Sequence, residues 1–153
     1  MMSGYQNQPD KTREGYWIDP EDGSVWQRMG DIGRLDADGF VELLGRSKDM
    51  IISGGFNIYP VDLEGILLGL PGVEEAAVIG VPSERWGETP VGFVTGGKGV
   101  KLDTDALLKA ANDQLGKTQR LSALFQIDEM PRSHIGKLLK TDLRDMVAGK
   151  EIA

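Results

Sequence analysis

The hydrophobic pattern of this chain changes near residue 59, and the change constrains the fold more than any other feature. The first 45 residues are rich in Gly, Asp and aromatic residues and carry turn signals such as DPEDGS and DADG, which are typical of short strands. Beyond the change, four apolar residues recur at the spacing of one helix face: Leu63, Ile66, Leu67 and Leu70. The sequence therefore predicts a β-rich first part and a second part that contains helices.

The second part is predicted to alternate helices with strands. A first helix begins at Pro60 and ends before Pro71-Gly72, and a second helix is capped by Asp103 or Thr104. Three apolar segments predict buried strands: EAAVIGVP, PVGFVTG and ALFQID. A last short helix, capped by Thr141, is predicted to turn three apolar side chains inward: Leu143, Met146 and Val147.

A short hairpin is predicted between the two parts. DMIISGGFNI, residues 49–58, has apolar arms around a corner at Gly54-Gly55, and a Gly-Gly pair suits a tight hairpin turn. The predicted fold class is therefore α+β: a small mixed three-stranded sheet with flanking helices and a short β-hairpin, preceded by a β-rich edge.

Composition excludes several classes of function. The formal net charge is −7, from 17 basic and 24 acidic residues, so no basic stripe is available for nucleic acid. There is no cysteine and one histidine, His134, which argues against thiolate chemistry, a His-based zinc site and a Ser-His-Asp triad. The sequence has neither a long apolar run nor a signal-peptide pattern, so we expect no membrane span and a cytoplasmic location.

Several ordered segments carry a resemblance to a known family. They are GYQNQPDKTRE, RMGDIGRLDADGFVELLGR, GRSKDMIISGGFNIYPVDLE, PSERWGETPVGFV and PRSHIGKLLK. Together they resemble the C-terminal lid of the adenylate-forming superfamily, which includes acyl- and aryl-CoA ligases, peptide-synthetase adenylation domains and beetle luciferases. The resemblance extends over nearly the whole chain.

The resemblance implies a domain organisation. Residues 1–45 correspond to the C-terminal edge of a large adenylating domain, and residues 46–153 to the mobile lid, with a hinge near Lys48. The large N-terminal domain of the family carries a phosphate loop and an acyl pocket, and neither is found in this sequence. We therefore expect a fragment whose Met1 is not a biological start and which is inactive by itself.

The resemblance also implies a reaction, that of an ATP- and CoA-dependent acid–thiol ligase (acyl-CoA synthetase). A carboxylate attacks the α-phosphate of ATP and gives acyl-AMP and pyrophosphate; the thiol of CoA then attacks the acyl carbonyl and releases AMP. A fatty acid is the expected substrate class. Mg²⁺ enters with ATP and is held mainly by the large domain, so no residue here is assigned to a metal. The expected partners are the chain's own N-terminal domain and the carboxylic acid, and a homodimer is left open.

Four residues match the family's nucleotide contacts. Lys137 matches the adenylation lysine, whose ammonium stabilises charge on the α-phosphate. Asp31 matches the ribose-binding aspartate, and Arg46 an arginine that also meets the ribose. Lys48 matches the family's hinge position, and its side chain is expected to contact the adenylate. Outside that context, these residues have ordinary interpretations: solvated lysines, a turn aspartate and an ion pair between Arg46 and Asp49.

A second set of residues is assigned to CoA by the same resemblance. Gly54 and Gly55 would form a wall of the pantetheine tunnel, where glycine permits close backbone approach and positive φ. Trp86 and Arg120 would meet the adenine and the 3′-phosphate. The alternatives are an ordinary hairpin turn and a Trp partly buried against the sheet. Ile52 stands where some plant and beetle-type members carry lysine, which places the chain nearer the bacterial acyl/aryl-CoA ligases.

Two other functions stay open at this point. The acceptor could be the phosphopantetheine of a carrier protein, although the absence of a carrier-like module after the lid mildly favours free CoA. A standalone, non-catalytic binding module is the third alternative.

Overall fold

The computed structural model describes residues 4–150. The outer ends of the predicted domains, including Met1, lie outside this range. The chain divides into two compact units, Met1–Lys48 and Asp49–Ala153, and the division falls in a single 3-10 turn, Ser47–Asp49. That residues 1–45 and 46–153 are an edge and a lid with a hinge near Lys48 stays a prediction.

The first unit consists of one short helix and two antiparallel strand pairs, β1–β2 and β3–β4. Its elements are α1 (Pro9–Glu14), β1 (Tyr16–Ile18), β2 (Val25–Gln27), β3 (Asp31–Leu35) and β4 (Val41–Arg46). The DADG turn signal lies between β3 and β4, where the Asp36 carboxylate accepts from the backbone N–H groups of Asp38 and Phe40. None of residues 4–48 is buried, so this unit has no core of its own.

The second unit has the predicted α+β fold, and the fold class is confirmed. Its elements are β5 (Ile51–Ser53), β6 (Phe56–Ile58), α2 (Pro60–Leu68), β7 (Val73–Ser83), β8 (Gly87–Gly96), α3 (Thr104–Gln114), β9 (Ala123–Gln126) and α4 (Lys140–Val147). The side chain of Asp103 caps α3 by accepting from the N–H of Ala106 at 3.0 Å, as one of the two predicted alternatives requires.

Strand β8 is the centre of a mixed sheet. It pairs antiparallel with β7 along its length and parallel with β9 at Val91–Val94. The predicted hairpin β5–β6 joins this three-stranded sheet through the single pair Ser53–Gly87. Strand β7 is the last strand on one side of the sheet, so in the described part of the chain it is an edge strand with no neighbour on its outer side.

Helices cover both faces of the sheet. On one face, Leu63 and Leu67 of α2 and Leu107 of α3 pack against Val78. On the other face, α4 packs through two buried residues in a cluster with Ile79 and Phe93: Leu143 and Val147. Because side chains alternate along a strand, Val78 and Ile79 serve opposite cores, which explains the unbroken apolar run of β7.

The last helix differs from its prediction in two respects. It begins at Lys140, and Thr141 does not cap it: the N-cap position is Leu139, without a side-chain hydrogen bond. The helix therefore starts two residues earlier than a cap at Thr141 predicts, and the ammonium of its first residue, Lys140, binds Glu64 and the carbonyl of Val78. Met146 is 44% exposed rather than inward, since Leu143 and Val147 already fill the buried stripe.

No helix formed by residues 4–150 combines the length and the apolar character that crossing a bilayer requires.

Candidate functional site

Lys137 lies in a short loop whose backbone is closed by hydrogen bonds. Arg132 and Leu138 form an antiparallel bridge, and the N–H of Ser133 donates to the carbonyl of Lys137 at 2.8 Å. Between them is a tight turn in which Gly136 N–H donates to Ser133 O at 2.8 Å and Gly136 has φ 80°. The Lys137 N–H reaches Ser133 Oγ at 3.2 Å. The loop therefore holds its lysine on a fixed backbone.

The side chain of Lys137 is exposed, and none of the ion pairs formed among residues 4–150 includes it. Its neighbour Lys140 is the opposite case. The Lys140 ammonium donates to Glu64 Oε1 at 2.9 Å and to the carbonyl of Val78 at 3.0 Å, and both charged side chains are about four-fifths buried, at 19% and 21% exposure. The two lysines, three positions apart, thus differ: Lys140 anchors the end of the loop to Glu64 and Val78, whereas the Lys137 side chain extends from the loop into solvent.

Strand pairing brings Asp31 and Arg46 together. They stand directly opposite each other in the β3–β4 ladder, and Arg46 Nε lies 3.4 Å from Asp31 Oδ1. Arg46 therefore forms an ion pair, as its ordinary interpretation expects, but its partner is Asp31 and not Asp49. Asp49 pairs instead with Arg144 at 3.5 Å. The Asp31 carboxylate stays 39% exposed and keeps free acceptor positions. Lys48 follows in the 3-10 turn and is exposed.

The glycine pair forms the corner of the β5–β6 hairpin, with φ 56° at Gly54 and 83° at Gly55. Only the Gly54 position is crowded: a Cβ there would lie 3.0 Å from Trp86 Cε3, whereas a Cβ at Gly55 would meet nothing within 4 Å. Gly54 N–H also donates to the carbonyl of Trp86 at 2.8 Å. The corner is therefore backed by the indole at Gly54 and open to solvent at Gly55.

Trp86 and Arg120 line one cavity of about 120 Å³ at the Gly87 end of β8. Its wall also includes Lys117, which sequence reasoning missed, and hydroxyl side chains at Thr89 and Ser122, which are hydrogen-bonded to each other. The available signal for Lys117 was its position three residues before Arg120 in one polar segment, QLGKTQR. Cations and hydroxyl groups around a small cavity suit a phosphate.

Arg85 is a further cation that the motif analysis missed. Its guanidinium lies 4.6 Å from the centre of the Trp86 ring, at cation–π distance, and both side chains are exposed. The positive charge near this cavity contrasts with the net charge of −7 of the chain. An anionic ligand would therefore find locally favourable electrostatics here.

The candidate residues thus form three groups. Asp31, Arg46 and Lys48 belong to the first unit, whereas Gly54, Gly55, Trp86 and Arg120 surround the hairpin corner of the second. Lys137 stands apart in the loop between β9 and α4. In the range 4–150, no three His, Cys, Asp or Glu side chains are placed to share a metal ion.

The known proteins to which this chain is similar include acyl- and aryl-CoA ligases. The chain is 40% identical over 148 residues to a 2-succinylbenzoate–CoA ligase of Geobacillus kaustophilus, covering 94% of the chain and 30% of that protein. It is 36% identical to a long-chain-fatty-acid–CoA ligase of Mycobacterium tuberculosis, covering 95% and 27%. ATP-bound MatB from Rhodopseudomonas palustris superposes with a TM-score of 0.85 at 35% identity, covering 96% and 28%.

The family assignment follows from a more specific match. Residues 62–137 match the family described as the AMP-binding enzyme C-terminal domain. The chain therefore contains a member of the AMP-binding enzyme C-terminal domain family, and the predicted resemblance is confirmed. The chain spans less than a third of the length of the CoA ligases it matches.

Lys137 in the loop and Lys140 at the start of α4 give opposite expectations for stability. Lys140→Met should lower the free energy of unfolding by about 1–3 kcal/mol, because it leaves the largely buried carboxylate of Glu64 without its cation. Lys137→Met should change it by less than about 0.5 kcal/mol, as is usual for a surface side chain without partners. Urea denaturation of the chain measures both values; equal losses would contradict the division between anchor and free cation.

Proposed function

We propose that residues 46–153 are the mobile lid of an acyl-CoA synthetase, that residues 1–45 are the C-terminal edge of its large adenylating domain, and that the lid completes the active site on that domain. The observation that carries the proposal is Lys137: its backbone is fixed by a hydrogen-bonded loop, while its ammonium is exposed. A cation held in this way can stabilise charge on a substrate that is bound elsewhere. The chain by itself is then inactive, and its location in the cytoplasm stays a prediction.

In the first half-reaction, the ammonium of Lys137 approaches the α-phosphate of ATP. The acid's carboxylate oxygen forms a bond to phosphorus as the bond to pyrophosphate breaks, and negative charge increases on the oxygens of the α-phosphate. An ammonium at those oxygens lowers the barrier and aligns the attacking oxygen. The acid is a carboxylic acid, and a fatty acid is our proposed class.

Asp31 and Arg46 are proposed to bind the ribose of the nucleotide. An ionised carboxylate can accept hydrogen bonds from the 2′- and 3′-hydroxyls, and the Arg46 guanidinium at 3.4 Å keeps the Asp31 carboxylate oriented. Lys48 follows in the 3-10 turn Ser47–Asp49. The division of the chain after Lys48 supports a hinge there, since a turn residue can absorb the change in φ and ψ.

In the second half-reaction, the hairpin corner replaces Lys137 at the acyl group. The thiol of CoA attacks the acyl carbonyl carbon, loses its proton, and AMP leaves with the electron pair of the acyl–phosphate bond. We assign Gly54 and Gly55 to the wall along the pantetheine arm, because an open glycine backbone lets the arm pass closely. The free space at Gly55 supports this assignment.

The cations near Trp86 favour free CoA over a carrier protein as the acceptor. CoA carries a 3′-phosphate that a carrier-bound phosphopantetheine arm lacks. Lys117 and Arg120 line the small cavity beside Trp86, and charge-assisted hydrogen bonds to phosphate suit both side chains.

The proposed function is tested with the complete protein that carries this chain. Octanoate, palmitate, 2-succinylbenzoate and ferulate are each supplied with ATP, Mg²⁺ and CoA, and AMP and thioester are measured. We expect equal amounts of both products with at least one acid. Nucleotide binding without AMP release for any acid would instead support the non-catalytic binding module.

Lys137→Ala should separate the two half-reactions. We expect acyl-AMP formation to fall by about 100-fold or more, because a charge-stabilising group is lost, while thioester formation from supplied acyl-AMP stays within about 2-fold. Pyrophosphate release and thioester formation are measured separately, with Lys109→Ala on α3 as the control for removal of a surface lysine. Equal loss of both half-reactions would reject the assignment of Lys137.

Gly55→Leu should have the reverse effect. The side chain would enter the proposed pantetheine tunnel, so we expect thioester formation to fall by about 10-fold or more and acyl-AMP formation to be largely retained. Gly99→Leu is the matched control, because its φ of 77° is similar and its Cβ also meets nothing within 4 Å. Normal use of CoA by Gly55→Leu would exclude the tunnel role.

Lys117→Met and Arg120→Met should discriminate CoA from dephospho-CoA. We expect each variant to raise the KM for CoA by about 10-fold, the effect of losing a charged hydrogen bond, and to leave the KM for dephospho-CoA nearly unchanged. Lys98→Met, which removes a lysine near another cavity, serves as the control. A similar rise in KM for both thiols would show that the cavity does not hold the 3′-phosphate.

A further inference from the structure

Arg132 connects the loop of Lys137 to the sheet through two bonds from one guanidinium. Its Nη1 donates to the carbonyl oxygen of Gly136 at 3.0 Å, and its Nη2 donates to Glu75 Oε1 at 2.5 Å. Glu75 belongs to β7, which is packed between the two cores. The guanidinium therefore spans from a fixed strand to the turn that precedes Lys137.

The bond to Gly136 acts on one particular peptide unit. The carbonyl of Gly136 and the N–H of Lys137 belong to the same planar group. Arg132 holds the oxygen of that group, and Ser133 Oγ accepts from its N–H at 3.2 Å. Beyond it, the Lys137 carbonyl accepts from Ser133 N–H at 2.8 Å. Both peptide groups that flank the Lys137 Cα are thereby fixed, and the direction of its Cα–Cβ bond with them.

From this geometry we infer that Arg132 is a positioning residue for Lys137. It does not touch the substrate, and it acts by restricting the backbone from which the ammonium extends. The inference rests on the proposed function and deepens it. A lysine on a loose turn would have to be ordered during each catalytic cycle, whereas a pre-ordered one is not subject to that entropic cost.

The chemistry of Arg132 suits this role better than that of a lysine. Arg132 binds two acceptors at once, the Glu75 carboxylate and the Gly136 carbonyl, through two different nitrogens of its planar guanidinium. A single ammonium on a flexible stem does not reproduce that arrangement. The pair with Glu75 is partly solvated, with side-chain exposures of 44% and 42%, so its contribution to global stability is small. The expected effect of its loss is therefore local.

The test uses the complete protein with the most active acid of the panel and compares Arg132→Met, Arg132→Lys and the control Lys109→Met. We expect acyl-AMP formation to fall by about 10-fold in Arg132→Met, with partial recovery in Arg132→Lys and no change in the control. Thioester formation from supplied acyl-AMP should stay within about 2-fold. In a Lys137→Ala background, Arg132→Met should cause no further loss, because the residue that it positions is absent.

A second measurement is independent of turnover. Backbone ¹⁵N relaxation of this chain should show ordered amides at Gly136 and Lys137, and increased motion at both in Arg132→Met but not in Lys109→Met. Unchanged order, equal loss of both half-reactions, or a further loss in the Lys137→Ala background would overturn the positioning role. If Lys137→Ala itself leaves acyl-AMP formation intact, the proposed function fails, and the relaxation data still decide whether Arg132 orders the turn.

Discussion

The pair between Glu64 and Lys140 is the interaction on which the rest of the second unit depends. Glu64 Oε1 accepts from the N–H of Val78 at 2.9 Å, and Lys140 donates to the carbonyl of the same residue at 3.0 Å. An edge strand exposes unpaired backbone groups, and here one carboxylate and one ammonium satisfy both groups of Val78. The pair also ties α2 and the start of α4 to β7. The loop of Lys137 thus ends at Lys140, which is held by Glu64 and Val78. The same ion pair therefore fixes both the packing of α2 on β7 and the end of the Lys137 loop.

The same sheet presents its two candidate surfaces from different elements. The hairpin corner and its cavity lie where Gly87 of β8 meets Ser53 of β5, whereas the Lys137 loop is fixed by Arg132 to β7. A glycine corner supplies bare backbone, and a lysine loop supplies charge, so neither surface can do the work of the other. This division of chemistry supports the proposal of a lid that serves two successive steps.

Sequence reasoning identified the elements whose signals are local. The helix face of Leu63 and Leu67, the cap at Asp103 and the Gly54-Gly55 corner all follow from spacing or from the conformation that one residue type allows. It missed contacts between distant positions: Lys140 meets Glu64 across 76 residues, and Arg132 meets Glu75 across 57. Lys117 and Arg85 were missed because the family resemblance assigned only their neighbours Arg120 and Trp86 to CoA. Thr141 was wrongly predicted as a cap: the N-cap position is Leu139, and the first helical residue, Lys140, makes a tertiary ion pair with Glu64.

The division of labour between the two surfaces is tested most directly by two crystal structures of the complete protein, one with ATP and one with CoA and a non-hydrolysable acyl-AMP analogue. The account predicts the ammonium of Lys137 about 3 Å from the α-phosphate in the first structure. In the second, it predicts Gly54 and Gly55 along the pantetheine arm, with Lys137 withdrawn. A lysine that stays at the phosphate in both structures, with the arm entering far from the glycines, would contradict it.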